Sequence, residues 1–165
     1  MKNYKLPVLG FSLVLLMVSC RKEDVRQTSA QNASQNISKG LQWSSLSDWS
    51  NVKTESVTTY FSKFSDSAVT ADVASAGLVL VFKKNENSIE SLPFQEKDGK
   101  TFWYYQVSKN AIRINSDDSN GENLDRQSFS YIIITPQKLS ALEANGKTRS
   151  DLLQLSYEQA VALLK

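Results

Sequence analysis

Leu78-Val79-Leu80-Val81-Phe82 is a continuous apolar run of strand length, and it decides how the rest of the chain is interpreted. Successive side chains of a strand point to opposite faces of a sheet, so this run has no polar face to turn toward water. Such runs are typical of strands that are covered on both sides. The sequence therefore predicts a central strand with one protein layer on each face.

Other strand signals lie on both sides of this run. Segments 102–107, 111–114 and 129–134 are rich in aromatic and β-branched residues and are bounded by turn-forming residues, and weaker strands are predicted at 49–52, 56–64 and 89–94. Asp98-Gly99 is typical of a hairpin turn between Phe94 and Phe102. Six to eight short strands without crossover helices predict a mainly β fold, an antiparallel β-sandwich.

Two short helices are predicted after the last strand. Thr135 and Pro136 suit the N-cap and first position of a helix over 136–144, and Gly146 suits its end. Ser156 and Gln159 form a capping-box pattern before a second helix. Its apolar residues recur at helical spacing, namely Tyr157, Ala160, Val161 and Leu164. We expect this face to pack on the sandwich.

The N-terminal 19 residues have the order of a secretory signal peptide. Lys2 and Lys5 precede an apolar run over 6–18, and Ser19-Cys20 follows. The run has about 13 residues, whereas a membrane-spanning helix needs roughly 20. Met17-Val18-Ser19-Cys20 resembles the lipobox of bacterial lipoproteins, in which the Cys is lipidated and becomes the first residue of the mature protein.

Lipid attachment at Cys20 fits the cysteine count as well. Cys20 is the only Cys, so it has no disulfide partner within the chain. The resemblance implies three acyl chains on Cys20, and two or more chains hold a protein firmly on a membrane. The membrane is therefore the expected partner of the N-terminus, through this anchor.

A polar segment over 20–40 is predicted to be a disordered tether, because it has too few apolar residues to offset its ordering entropy. Lys22-Glu23-Asp24 resembles the Lys-plus-acidic signal that sends Bacteroidota-type lipoproteins to the cell surface; an ordinary solvated tether is the other interpretation. We expect a protein anchored in the outer membrane, facing the surface or else the periplasm. Residues 41–165 are long enough for one core and form the predicted single domain.

Charge and composition argue against several classes of function. Removing Lys2 and Lys5 from 19 basic residues leaves 17, equal to the 17 acidic residues, so nothing indicates nucleic-acid binding. The chain has no His, which excludes His-dependent triads and His-containing metal sites. We predict a non-enzymatic protein without cofactor or metal. A glycosidase needs only two carboxylates, so the sequence leaves that class open.

Several motifs together resemble a group of small Bacteroidota-type lipoproteins of unknown function. The matching features are Trp49, Gly77 followed by the apolar run, Leu92-Pro93-Phe94, the strand at 131–134 and Tyr157-Glu158 near the end. The resemblance implies a compact β-sandwich and supplies no catalytic residues. The expected function is binding or scaffolding of another envelope component, a protein or a glycan.

Phe102-Trp103-Tyr104-Tyr105 is the candidate ligand-binding segment. Alternation places Trp103 and Tyr105 on one face and Phe102 and Tyr104 on the other. One pair is expected to fill the core, and the other to be covered by the C-terminal helix or partly exposed, with cover by the helix favoured. A carbohydrate-binding surface module that uses Trp103, Tyr105 or Trp43 is the alternative function.

Two further motifs are candidate sites, one for glycosylation and one for calcium binding. Asp66-Ser67-Ala68 resembles a bacterial O-glycosylation acceptor, with Ser67 as the modified residue. The acidic segment 115–122 invites a calcium interpretation, but with Gly121 in the sixth place of an EF-hand loop the first and twelfth places fall on Ser116 and Gln127. Neither side chain is a carboxylate, so a solvated loop is predicted.

The lipid anchor gives the first testable prediction. Cys20→Ser removes the thiol that takes the lipid, so the variant should leave the detergent phase in a phase-partitioning assay, while the wild-type chain stays there. A variant that partitions like the wild type would contradict lipidation at Cys20.

Overall fold

The structure, a computed structural model, describes the backbone of residues 37–38 and residues 42–117, 121 and 123–164. The strands are β1 (Ile37–Ser38), β2 (Ser44–Ser45), β3 (Ser50–Lys53), β4 (Thr58–Ser65), β5 (Leu78–Lys84), β6 (Ile89–Ser91), β7 (Phe94–Gln95), β8 (Phe102–Ser108), β9 (Ala111–Asp117) and β10 (Ser128–Ile134). The helices are α1 (Ala71–Ala76), α2 (Pro136–Ala144), α3 (Arg149–Leu153) and α4 (Tyr157–Ala162), with a 3₁₀ turn at Leu124–Arg126.

These strands form two antiparallel sheets, and the predicted sandwich is confirmed. Sheet 1 has the order β1-β10-β5-β6, with β2 also pairing with β10, and sheet 2 has the order β3-β4-β9-β8-β7. The predicted hairpin joins β7 to β8, and the Gly99 N–H donates to the Glu96 carbonyl across its turn at 2.9 Å. Three strands are only two residues long, too short to leave a pattern in the sequence.

The inter-sheet core confirms that β5 is covered on both sides. Val79 and Val81 of β5 point toward sheet 2 and are at most 3% exposed. They belong to a buried cluster to which both sheets contribute, including Phe129, Ile133, Trp103, Ile112 and Ile114. Alternation then turns the remaining apolar residues of β5 to the outside of sheet 1.

Three helices bury their apolar residues against that outer side. Leu78, Leu80 and Phe82 form a second buried cluster with Ile132, Ile134, Leu139, Leu152 and Ala160. The predicted packing of the terminal helix is confirmed, since Tyr157, Val161 and Leu164 pack against this cluster and the Tyr157 ring meets the Phe82 ring at 5.4 Å. The domain therefore has three layers: helices, sheet 1 and sheet 2.

Capping chemistry sets the helix ends. The Thr135 side chain accepts the Lys138 N–H at the start of α2, which has the predicted bounds. The capping box of Ser156 and Gln159 begins α4, also as predicted. Helices α1 and α3 were not predicted; they have six and five residues, and each begins with a threonine N-cap.

Two strand predictions differ from the structure. The strand predicted over 89–94 is interrupted at the cis Leu92–Pro93 peptide, which separates β6 of sheet 1 from β7 of sheet 2. Strand β9 runs beyond Ile114 to Asp117, so Asn115 and Ser116 are buried strand residues rather than the start of a solvated loop. Ile37 and Ser38, within the range predicted as tether, pair with β10.

Gly77 connects α1 to β5 at a point where the backbone leaves no room for a side chain. A Cβ atom there would lie 2.8 Å from the Ile134 carbonyl oxygen and 2.9 Å from that of Val73. Both contacts are with backbone atoms, so neither can move aside cheaply. Gly77 therefore lets the helix end directly against the central strand pair.

Two adjacent leucines of α3 test the helical layer. Leu152 is 0% exposed and Leu153 is 37% exposed, so the two truncations differ only in burial. We expect Leu152→Ala to lower the free energy of unfolding by about 2–5 kcal/mol, and Leu153→Ala to change it by about 0.5 kcal/mol or less. Denaturant unfolding measures both, and equal losses would show that α3 does not pack as described.

Candidate functional site

The outer side of sheet 2 is the candidate site, and we call it the open face. Register places its outward side chains in three rows across β4, β9 and β8: Thr59, Asp117 and Phe102; Phe61, Asn115 and Tyr104; Lys63, Arg113 and Gln106. None of the four described helices buries a residue against this face. Val73 of α1 enters the inter-sheet core, and α2, α3 and α4 pack on sheet 1.

A pair of stacked aromatic rings lies at one edge of the open face. The rings of Phe102 and Tyr104 are 5.7 Å apart between centroids and inclined by 24°, and Phe102 is 40% exposed. The prediction that the C-terminal helix covers the second aromatic pair is wrong, because that helix packs on the other sheet. No helix of the described residues covers these rings.

Tyr104 belongs to a polar group in the same part of the face. The Thr59 hydroxyl donates to Asp117 Oδ1 at 2.6 Å, and the Tyr104 hydroxyl lies 3.4 Å from the same oxygen. Burial, and then the negative charge of Asp117, raise the pKa of Tyr104. Tyr104 thus offers a neutral hydroxyl beside a carboxylate.

Arg113 and Phe61 form the centre of the open face. The Arg113 guanidinium carbon lies 3.7 Å from the centroid of the Phe61 ring, a cation–π stack. Asn115, between Phe61 and Tyr104 in the register, is 1% exposed. The Arg113 Nε atom is buried and has no hydrogen-bond partner among the described residues.

The aromatic residues predicted to bind a ligand are not brought together. Trp103 is 2% exposed, and its Nε1 donates to Glu96 Oε1 at 2.7 Å. Tyr105 packs on the same inter-sheet core, and its hydroxyl donates to the Val79 carbonyl at 2.6 Å. Trp43 lies on the helix side of sheet 1, 5.1 Å from the Tyr157 ring. The outward pair on β8 is Phe102, which is exposed, and Tyr104, which is partly buried.

Lys83 is a buried charge that sequence reasoning missed. It is 2% exposed, its ammonium lies 3.0 Å from Glu96 Oε1 and 4.9 Å from the Trp103 ring, and it donates to Asn85. Its position two residues after Val81 places it on the inward side of β5, which is the signal the sequence offered. These contacts satisfy the charge within the core and leave it no free face for a ligand.

Ser67 lies exposed in the turn after β4, and its modification stays a prediction. Both carboxylate oxygens of its neighbour Asp66 accept hydrogen bonds within the fold. Oδ1 accepts one from the Ala68 N–H at 2.8 Å, and Oδ2 accepts one from the Tyr131 hydroxyl at 2.7 Å. Burial, together with this bond to Asp66, raises the pKa of Tyr131. Asp66 therefore has a structural role that is independent of any modification of Ser67.

Several predicted features lie outside the described residues. They are the signal peptide over 1–19, the lipid-attachment residue Cys20, the export motif Lys22, Glu23 and Asp24, and residues 118–120 and 122 of the acidic segment. They stay predictions from the sequence.

The phenol of Tyr105 makes stability depend on pH in a defined window. Burial raises its pKa from 10.0 to about 12. Unfolding restores the ordinary pKa, so stabilisation by the neutral phenol is complete below the unfolded value of 10.0 and is lost as pH rises toward about 12. We expect the denaturation midpoint to fall across this window less steeply in Tyr105→Phe than in the wild type. Parallel curves would contradict this assignment.

Among the residues that the structure describes, every helix is too short or too polar to cross a bilayer. The same residues contain no group of three or more His, Cys, Asp or Glu side chains arranged to hold a metal ion. Comparison of the chain with protein-family models, with curated proteins and with solved structures finds no match.

Proposed function

We propose that this chain is a lipid-anchored protein of the bacterial cell envelope whose sandwich is a non-enzymatic binding or scaffolding module. The lipobox ending at Cys20 and the resemblance to small Bacteroidota-type lipoproteins support the anchor. The open face, which no described helix covers, carries the proposal for the domain. It is the surface that we propose to contact another envelope component.

The difference between the two sheets supports this assignment. The outer side of sheet 1 is apolar and buried under helices, whereas the outer side of sheet 2 combines the exposed ring of Phe102 and the partly buried rings of Phe61 and Tyr104 with charged side chains. On its edge strand β3 Val52 is 54% exposed, and on β8, near the other edge, Phe102 is 40% exposed. Burying such apolar surface against a partner contributes about 25 cal/mol for each Å² removed from water.

The proposed location follows from the N-terminal motifs. Lipidation at Cys20 attaches the chain to the outer membrane, and Lys22-Glu23-Asp24 favours display on the cell surface; a domain facing the periplasm is the alternative. The binding proposal holds for both orientations, since the open face and the anchor are separate parts of the chain.

Glycan binding is the second candidate, and the stacked pair on β8 favours it. Sugar rings stack on flat aromatic side chains, and sugar hydroxyl groups pair with neighbouring polar groups. Here the rings of Phe102 and Tyr104 lie beside the Asp117 carboxylate. Trp103 is replaced in this role by Phe102, because the Trp103 ring is in the core.

A pair of surface substitutions tests the open face. The full chain, purified from membranes in detergent, is immobilised and incubated with solubilised outer-membrane protein and with envelope polysaccharide. We expect Phe102→Ser to reduce capture by about tenfold, because an aromatic side chain that is buried at an interface can contribute more than about 1 kcal/mol to binding. Leu153→Ser is the matched control, because Leu153 is similarly exposed, at 37% against 40%, but lies on the helical side. It should capture as the wild type does.

Equal capture by both variants, or capture lost only in Leu153→Ser, would contradict the assignment of the open face. Near-ultraviolet circular dichroism of each variant verifies that the aromatic core is intact. If the immobilised chain retains polysaccharide, the result favours glycan binding. If it retains an outer-membrane protein, the result favours scaffolding.

A further inference from the structure

A preformed groove lies at the β3 side of the open face. It has a volume of about 650 Å³ and lies between segment 45–50 and the outward residues Phe61, Lys63 and Arg113. Two hydrogen bonds fix the segment: the Ser62 hydroxyl donates to the Ser47 carbonyl at 2.6 Å, and Trp49 Nε1 donates to the Leu46 carbonyl at 3.0 Å. These bonds hold the segment in place beside β4.

Two positive charges face each other in this groove. Lys63 of β4 lies directly opposite Arg113 of β9 in the register, and both line the groove. Like charges in such a cross-strand pair repel each other. Neither side chain forms an ion pair with a carboxylate of the described residues. An anion between them would relieve this repulsion.

The orientation of the Arg113 guanidinium suits such an anion. The guanidinium stacks on the Phe61 ring, and the buried Nε atom of Arg113 has no hydrogen-bond partner within the described part of the chain. A guanidinium presents its N–H groups as a planar fork that matches the two oxygens of a carboxylate. Lys63, which is exposed, adds a second and mobile charge.

The remaining lining indicates what else the ligand carries. Ser45, Ser47, Ser50 and Ser65 line the groove with hydroxyl groups, and Asp48 contributes a carboxylate. Hydroxyls and a carboxylate pair with the hydroxyl groups of a sugar, whereas Asp48 disfavours a ligand with dense negative charge. The combination suits a sugar that bears a single carboxylate on each ring.

We propose that this groove binds an acidic glycan, with Arg113 and Lys63 holding the carboxylate of a uronic acid residue. Asp48 and the serines then contact the ring hydroxyls. The proposal rests on the proposed function, because it names the ligand class of the same open face.

Calorimetry on the full chain in detergent tests the ligand class. The probes are tetrasaccharides of galacturonate, glucuronate and mannuronate, each beside its neutral methyl ester. We expect at least one acidic tetrasaccharide to bind, its ester to bind about tenfold more weakly or worse, and the acidic affinity to fall as salt rises. Arg113→Gln should weaken acidic binding by about tenfold or more, as for loss of charged hydrogen bonds.

Two further variants keep the test decisive if Arg113→Gln folds poorly. Lys63→Gln removes an exposed charge from the groove and should also weaken acidic binding, whereas Lys147→Gln, an equal change on an exposed loop after α2, should not. Absence of binding by all three acidic probes, equal binding of acid and ester, or equal binding of hexaglutamate would each overturn the proposal. If capture of envelope material still depends on Phe102 in any of those cases, the binding module stands and only its acidic-glycan ligand is rejected.

Discussion

The antiparallel pairing of β5 with β10 is the interaction on which the other layers depend. The two strands pair along their whole lengths, from Leu78 opposite Ile134 to Lys84 opposite Ser128. Each contributes apolar side chains to both cores, and burial of one such side chain is worth about 1.5–3 kcal/mol. Sheet 2 packs on one side of this pair and the helices on the other, so neither outer layer has another hydrophobic surface to pack against.

Much of this arrangement can be predicted from residue patterns. The run from Leu78 to Phe82 predicts a doubly covered strand because it has no polar face, and the capping residues predict α2 and α4 because they satisfy free N–H groups at helix starts. The short helices α1 and α3 lack a long apolar period. Asn115 and Ser116 read as loop residues, yet they are buried because β9 continues between β4 and β8.

The sequence predicts which residues of the candidate site share a face of β8, but it does not predict which of the two faces is exposed. Strand alternation separates Trp103 and Tyr105 from Phe102 and Tyr104, but all four are aromatic, so composition does not say which pair faces the core. Whether the outer pair is exposed depends in turn on which sheet the helices cover, and that is a tertiary arrangement in which Tyr157 packs on Phe82 of sheet 1. The stack of Arg113 on Phe61 needs the pairing of β4 with β9, which no local motif encodes. Lys83 and Arg113 differ in their partners: Lys83 is buried and paired with Glu96, whereas Arg113 forms no ion pair with a carboxylate of the described residues.

The three tryptophans are divided between the two cores, and this division has a spectroscopic consequence. Trp49 and Trp103 meet edge to face at 6.1 Å within the inter-sheet core, whereas Trp43 packs on Tyr157 in the helical layer. Intrinsic fluorescence therefore contains separate signals from the two sides of the β5–β10 pair. Emission from Trp43 alone would follow the loosening of the helices from sheet 1, and emission from Trp103, whose indole lies against an ammonium and a carboxylate, would follow the separation of the sheets. Tryptophan fluorescence during unfolding can therefore show whether the two cores melt together or one after the other.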